Sequence, residues 1–194
     1  MLRRLYDWVL SWAETPYGTW ALFLLAFCES SFFPIPPDIL LIALAVAVPK
    51  KSLKYALICS AGSVLGGCFG YLIGWQFMAS IGSPIVDFYG LGAKVEYIGA
   101  LYNKYDAWAV GVAGFTPIPY KVFTIAAGVF KINFSVFVLT SLVSRSARFF
   151  IVGGLIYIFG SKIKGFIEKY FNILAVAFTV LLVLGFVVIK YLLT

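Results

Sequence analysis

Residues 32–46 read FFPIPPDILLIALAV and residues 115–129 read FTPIPYKVFTIAAGV, so one proline-broken apolar segment occurs twice, 83 residues apart. Each copy interrupts a hydrophobic run with Pro-Ile-Pro. Each also carries one charged residue just after the break, Asp38 in the first copy and Lys121 in the second. Opposite charges at matched breaks in apolar segments are typical of a binding site inside a membrane, built at the interface of an internal repeat.

The composition indicates whether the chain lies in water or in a membrane. Hydrophobic residues make up 62% of the 194 positions and charged residues 12%, too few to cover the chain with polar surface, so an integral membrane protein is predicted. No histidine is present, which removes the central residue of His-nucleophile phosphatases, Ser/His proteases and His-ligated zinc sites. The three cysteines, without CxxC spacing, are interpreted as packing residues. We therefore expect no enzyme activity, no metal and no cofactor, with the proton-motive force left open as an energy source.

Segment lengths separate half spans from full spans. The segments at 20–33 and 39–48 are shorter than the about 20 residues that a membrane-crossing helix needs, and prolines between them prevent one continuous helix. They are predicted to form a re-entrant hairpin, followed by a full span at 55–79. The second copy has a broken segment at 106–130 and a span at 134–160. The predicted hairpin tips are Pro34, Pro36, Pro37, Pro117 and Pro119.

The repeat also predicts its own symmetry. Because a hairpin returns to the side from which it entered, a hairpin plus one crossing is an odd number of passes, and the second copy has to enter from the opposite face. The expected fold is an all-α integral membrane protein with an inverted repeat of re-entrant helical hairpin plus transmembrane helix, an N-terminal amphipathic helix and a C-terminal transmembrane helix. This single membrane domain, 1–194, is divided into an interfacial helix at 1–14, repeat 1 at 15–79, an external amphipathic linker at 80–105, repeat 2 at 106–160, and a C-terminal loop and transmembrane helix at 161–194.

The lysines and arginines outside the predicted spans are unequally distributed between the two sides. Eight fall on the side of the N-terminus and four on the other, which predicts a cytoplasmic N-terminus. The eight are Arg3, Arg4, Lys50, Lys51, Lys54, Lys162, Lys164 and Lys169, and the four are Lys94, Lys104, Lys131 and Lys190.

Five ionisable residues fall at membrane depth: Glu29, Asp38, Lys121, Arg145 and Arg148. Three cations against two anions leave one positive charge uncompensated, which an anionic ligand would balance. Arginine forks match phosphate bidentately, and desolvated carboxylates favour the protonated form and can exchange protons. Lys121, Arg145 and Arg148 are thus predicted to bind substrate. Glu29 and Asp38 are predicted to couple to protons, and a structural salt-bridge cluster is the alternative.

The first full span carries glycines every fourth residue, at Gly62, Gly66, Gly70 and Gly74. Such a stripe presents no side chains on one face of a helix, so it predicts the close approach of another helix. Counted 83 residues onward, the second repeat has Arg145 in place of the first of these glycines. A position that is predicted to pack against another helix in the first copy therefore carries a charged side chain in the second.

Taken together, these motifs resemble the DedA family. They are Glu29 followed by the FPIPPD of 33–38, the glycine-rich stretch 61–75, the stretch 114–129 that ends AAGV, and the SRSARF of 144–149. The chain is similar in particular to the shorter YqaA-like branch, and more distantly to the VTT-domain scramblases. The likeness covers roughly residues 15–190.

The resemblance implies a bacterial inner-membrane protein with two opposed re-entrant hairpins. Members of the family are associated with moving lipids between leaflets, notably undecaprenyl phosphate, and with the proton-motive force. The family's acidic pair falls on Glu29 and Asp38, and Arg148 matches the arginine that YqaA-like sequences place in the following span. The Arg-x-x-Pro-x-x-Arg of the family's second hairpin is not kept, because Gly114 and Tyr120 stand at its arginine positions.

The leading hypothesis is a flippase or scramblase for an anionic lipid phosphate, undecaprenyl phosphate or a phospholipid, with proton coupling left open. One alternative is a proton- or ion-coupled transporter of a small soluble anion, which needs an enclosed pathway. Another is a non-transporting scaffold for envelope assembly, in which the charges are fully paired. Membrane lipids are the expected partners, nucleic acid is not, and homo-oligomerisation is left open.

Overall fold

A computed structural model describes residues 17–32, 36–104, 106–116 and 119–160. In this part of the chain all regular structure is helical and no strand occurs, which confirms the predicted all-α fold. Several predicted features lie outside the described residues. They are the interfacial helix at 1–14, the C-terminal loop and span at 161–194, and the tip residues Pro34 and Pro117.

Two short helices precede a long one in the first half of the chain. Helix α1 spans Gly18–Ser31, helix α2 spans Asp38–Ala47 and helix α3 spans Ser52–Phe77, and a 3-10 turn joins the last two. Pro36 and Pro37 lack the backbone N–H that an uninterrupted helix would need. The chain therefore starts a new helix at Asp38 instead of extending α1.

The segment between the two halves is helical as well. A π-helical turn at Met78–Gly82 continues α3 into the short helix α4, Ser83–Phe88. Helix α5 then spans Gly92–Lys104. Gly90, between α4 and α5, has a φ of +63°, a left-handed conformation that glycine adopts without steric penalty. The chain consequently turns at this position.

The second half repeats the order of the first. Helix α6 spans Asp106–Phe115, helix α7 spans Tyr120–Val129 and helix α8 spans Phe134–Phe159. The side chain of Asn133 accepts hydrogen bonds from two backbone N–H groups in the first turn of α8, which caps that helix. The bounds of α7 and α8 lie 82 residues after those of α2 and α3, within one residue of the shift between the two sequence copies.

The two halves are interlocked. Helix α1 packs along α3 and helix α6 along α8, so each first arm lies on the long helix of its own half. Helix α7 instead packs along α3, and α2 contacts both α3 and α8. Each second arm therefore reaches across to the long helix of the other half, and α3 lies at the centre, against α1, α7 and α8.

Glycines on α3 allow α1 to approach at backbone distance. A Cβ at Gly62 would meet the carbonyl oxygen of Phe23, and a Cβ at Gly66 would overlap the carbonyl oxygen of Phe27. Only glycine fits at such a contact. Since both residue numbers rise together along the interface, α1 runs parallel to α3.

Helix α7 also runs parallel to α3. Gly67 lies against the ring of Tyr120, and further along, a Cβ at Gly74 would overlap the carbonyl oxygen of Ile125. The glycine-rich face of α3 therefore receives helices from both halves.

The two halves run in opposite directions. Near one end of the α3–α8 interface Arg145 bonds to Ser63, and towards the other end Gly153 lies against Ser52, so α8 is antiparallel to α3. Helix α6 is parallel to α8, because successive contacts join 111 to 140 and 114 to 144. The α6–α8 pair is thus reversed relative to the α1–α3 pair.

Two of the described helical segments are long and apolar enough to cross a membrane, judged by length and composition. They are Pro49–Phe88, with 40 residues, and Phe134–Phe159, with 26. Helices α2 and α7 are apolar but have only 10 residues each, about half of what a crossing needs.

Candidate functional site

The carboxylate near the end of α1 forms an ion pair with the first arginine of α8. Glu29 Oε2 lies 2.8 Å from Arg145 Nη2, and the exposed fractions of the two side chains are 17% and 3%. A cation buried to this degree needs a partner, because removing one member of a buried pair leaves an uncompensated charge. The pair also ties the first half of the chain to the second.

Two serines complete a ring of hydrogen bonds around this ion pair. Arg145 Nε donates to Ser63 Oγ, and the hydroxyls of Ser63 and Ser30 lie 2.7 Å apart. Ser30 Oγ in turn donates to Glu29 Oε2 at 3.2 Å. If Ser63 donates to Ser30, every hydroxyl proton in the ring has an acceptor, so the two buried hydroxyls are satisfied.

Aromatic rings enclose the guanidinium of Arg145. Its Cζ lies 4.8 Å from the ring centroid of Tyr120 and 4.7 Å from that of Phe149, within the range of cation–π attraction. The Tyr120 hydroxyl donates to Ser141 Oγ on α8. The first residue of α7 is thereby fixed to α8, and water is kept from most of the Arg145 side chain.

The second arginine of α8 forms hydrogen bonds at both helix breaks. Arg148 Nη2 lies 2.9 Å from Asp38 Oδ2 and Nε donates to Oδ1 at 3.4 Å, which is a bidentate contact. Arg148 Nη1 donates to the backbone carbonyl of Thr116 at 2.8 Å, just after the end of α6. The arginine therefore connects the start of α2 with the end of α6. This pair is more open than the first, since the exposed fractions are 18% for Arg148 and 22% for Asp38.

The third cation lies in the first turn of α7. Lys121 is half-buried and makes no ion pair with any residue that the structure describes. Thr124 Oγ1, one turn later, donates to the carbonyl oxygens of Lys121 at 2.9 Å and of Ser30 at 3.1 Å. These bonds hold the start of α7 next to the end of α1. The positive end of the helix dipole disfavours a lysine here unless an anion is near.

The site therefore has a simple charge balance. Glu29 offsets Arg145 and Asp38 offsets Arg148, while Lys121 is left with its charge among the described residues. The ionisable residues of the site come from α1, α2, α7 and α8, and α3 contributes Ser63. Within the described ranges, no group of three or more cysteine, aspartate or glutamate side chains is placed to hold a metal ion.

The structure brings four of the five predicted site residues into contact with one another, in two pairs. The arginine donors that were predicted to hold a phosphate are bonded to carboxylates, to serine and to a backbone carbonyl. Of the predicted tip prolines that are described, Pro36 is exposed, Pro37 is buried directly before α2, and Pro119 directly precedes α7.

Sequence reasoning did not identify Ser30, Ser63 and Tyr120 as members of the site. Serine in a glycine-rich helix is usually a packing residue, so Ser63 has no distinguishing pattern. A better indication was available for Tyr120, because it directly precedes Lys121 at the second proline break. A residue at that point starts the new helix, so it lies next to the groups gathered at the break.

The described part of the chain is helical, with two proline-broken halves that are opposed in direction and joined by two ion pairs. The sequence matches the VTT domain over residues 35–158. The chain therefore belongs to the VTT-domain family, which is the DedA family, and the resemblance noted from the motifs is confirmed. The family is membrane-associated and transporter-like.

Two related proteins cover nearly the whole chain, and a third covers about two thirds of it. An uncharacterized protein of Haemophilus influenzae is 36% identical over 186 residues, which are 96% of each chain. An uncharacterized protein of Histophilus somni is 35% identical over 186 residues, 96% of this chain and 97% of that one. One from Methanocaldococcus jannaschii is 25% identical over 132 residues, 68% of this chain and 79% of that one. No solved structure matches.

Proposed function

We propose that this chain is a multi-pass protein of the bacterial inner membrane that moves an anionic lipid phosphate between the leaflets, as a flippase or scramblase. The lipid is undecaprenyl phosphate or a phospholipid. The observation that carries the proposal is that Glu29 and Asp38 pair with Arg145 and Arg148, while Lys121 adds a cation with no carboxylate partner among the described residues. Charged residues at membrane depth are expensive and mark transport pathways. The family and the two apolar helical segments support the same function.

The proposed architecture is an inverted repeat of two re-entrant hairpins. Arms of 10 to 14 residues are too short to cross a bilayer, and the opposite directions of the α1–α3 and α6–α8 pairs agree with opposed entry. Backbone groups freed at the breaks have to be buried in protein or line a polar cavity, as the bond from Arg148 to the Thr116 carbonyl illustrates. The basic residues Lys50 and Lys51 favour a cytoplasmic position for the start of α3, and the proposal puts the N-terminus on the same side.

Single cysteines in a background without Cys28, Cys59 and Cys68 would test this topology. In right-side-out vesicles, a membrane-impermeant maleimide is expected to label cysteines that replace Trp108 and Lys131. It is not expected to label cysteines that replace Tyr17 and Lys51 until the vesicles are permeabilised. All four positions are exposed on the surface of the protein, so packing does not block the maleimide. Labelling of the Tyr17 and Lys51 positions from opposite sides would show that the first hairpin crosses the membrane.

The proposed cycle uses the ion pairs as contacts that open and close. A lipid headgroup binds next to Lys121, where the site is positive, while the acyl or prenyl tail stays in the surrounding lipid. Moving the hairpins relative to α8 separates Asp38 from Arg148, the more exposed pair. The proposal assigns proton coupling to Glu29 and Asp38.

The test of this cycle is lipid transfer in reconstituted vesicles, with a fluorescent phospholipid and a fluorescent polyprenyl phosphate as probes. Glu29→Gln and Asp38→Asn keep side-chain shape but cannot titrate, and each is expected to lower the transfer rate at least about 10-fold. Glu96→Gln, an exposed carboxylate on α5, is the matched control and is expected to transfer lipid at the wild-type rate. Wild-type transfer by both site variants across the pH range would contradict a role for these carboxylates.

The scaffold hypothesis also has an observation in its favour, because both arginines are already paired within the protein. It predicts that no lipid probe is transferred by the wild type in vesicles where the protein is folded and correctly inserted. It also predicts that the carboxylate variants lose stability and nothing else. Transfer above that of protein-free vesicles would exclude it.

A further inference from the structure

The charge of the site sets a condition on what binds there. Two carboxylates and two arginines form two complete pairs, and Lys121 has no carboxylate partner among the residues that the structure describes. The two hairpin tips, 33–35 and 117–118, contain no ionisable residue in the sequence. Among the described residues and the two tips, the two ion pairs and Lys121 together thus have a net charge of one positive unit.

The position of Lys121 makes this charge available to a ligand. The residue is half-buried in the first turn of α7, and the Thr124 hydroxyl links its carbonyl to the end of α1, next to Glu29 and Ser30. The helix dipole adds positive potential at the same end of α7. Both arginines, in contrast, direct their donors at groups of the protein itself.

We infer that the lipid headgroup moved by this protein carries one negative charge, as a phosphodiester does, and not the two of a phosphomonoester, so that of the two proposed lipids a phospholipid fits the site and undecaprenyl phosphate does not. This inference rests on the proposed function. A diester neutralises Lys121 while both ion pairs stay closed. A monoester carries about −1.5 to −2 charges at pH 7, so it would leave negative charge unpaired in the site or require a proton on a carboxylate.

The experiment compares two lipids that differ only in this charge. Phosphatidylmethanol and phosphatidic acid with identical acyl chains are added at equal mole fraction to the purified protein in detergent at pH 8, where the monoester is doubly charged. Binding to the native state raises the melting temperature by mass action. Phosphatidylmethanol is expected to raise it more, and to bind at least about 10-fold more tightly, a difference of about 1.4 kcal/mol.

Two lysine variants identify the responsible charge. Lys121→Gln makes the ion-paired site neutral and is expected to lose most of the stabilisation by phosphatidylmethanol. Lys131→Gln, at an exposed lysine just after α7, is the matched control and is expected to keep it. Asp38→Asn raises the net charge by one, so this variant is expected to shift the preference towards phosphatidic acid.

The outcomes separate the inference from the proposed function. Stronger stabilisation of the wild type by phosphatidic acid would overturn the inference and leave lipid-phosphate transport standing. The same follows if Lys121→Gln keeps the full response to phosphatidylmethanol. If neither lipid changes the melting temperature and no lipid probe is transferred in vesicles, the proposed function itself is wrong.

Discussion

Replacing Arg145 by methionine is expected to lower the free energy of unfolding by about 3–5 kcal/mol, the range found when one member of a buried ion pair is removed. The side chain of Arg145 is 3% exposed, and it donates to Glu29 and Ser63 between two aromatic rings. Methionine fills similar space but leaves the Glu29 carboxylate without a counter-charge. Denaturant unfolding of the purified protein in micelles measures the loss.

Two further variants make this prediction specific. Arg145→Met combined with Glu29→Gln removes the stranded charge, so the double variant is expected to recover at least half of the loss. Arg148→Met is expected to lose less than Arg145→Met, because Asp38 is the more exposed carboxylate and keeps more contact with water. A greater loss in the Arg148 variant, or no recovery in the double variant, would show that Arg145 stabilises the fold by packing and not by charge.

Substituting the glycines at the helix crossings is expected to be even more disruptive. A Cβ at Gly66 would overlap the carbonyl of Phe27, and a Cβ at Gly128 would overlap the carbonyl of Tyr71. Both obstacles are backbone atoms, so whole helices would have to separate. Gly66→Val and Gly128→Val should therefore each lose more than the about 1–3 kcal/mol typical of an overpacked core. The measurements are the melting temperature and the yield of monodisperse protein.

Gly154 provides the control for this pair. It lies on α8, one residue after Gly153, and a Cβ there would meet nothing within 4 Å. Gly154→Ala is expected to cost no stability, and to raise the free energy of unfolding by up to about 1 kcal/mol, because alanine is the better helix former. Wild-type melting temperatures for Gly66→Val or Gly128→Val would mean that the helices do not cross at backbone distance.

The helical class and the breaks could be predicted from the sequence because both depend on local chemistry. Proline removes a backbone N–H wherever it stands, and long apolar runs leave few other folds. The predicted arms at 20–33 and 39–48 correspond to helices at Gly18–Ser31 and Asp38–Ala47, with ends that differ by one or two residues. Such differences are expected, since helix ends depend on capping contacts that periodicity does not reveal.

Which residues pair could not be predicted, because pairing depends on how the helices pack. Asp38 and Arg148 are 110 residues apart, and the sequence offers no reason to choose Arg148 over Arg145 as the partner. The bond from Arg148 to the Thr116 carbonyl has a simple physical reason once the packing is known. A helix that ends at a break leaves carbonyl groups without donors, and a nearby arginine can supply them. Counting charges predicted the surplus of one cation, but only the structure indicates Lys121 as its carrier.

The interlocked packing of the two halves has a consequence for how the chain is made. The carboxylate of Asp38 leaves the ribosome 110 residues before Arg148, and that of Glu29 leaves 116 residues before Arg145. At about 5–20 residues per second, the two carboxylates are made roughly 5–20 s before the arginines that pair with them. During this interval α1 and α2 have neither their ion-pair partners nor the α8 surface against which α2 packs. Helices α1 and α2 are therefore expected to reach their native packing only after translation of α8 is complete.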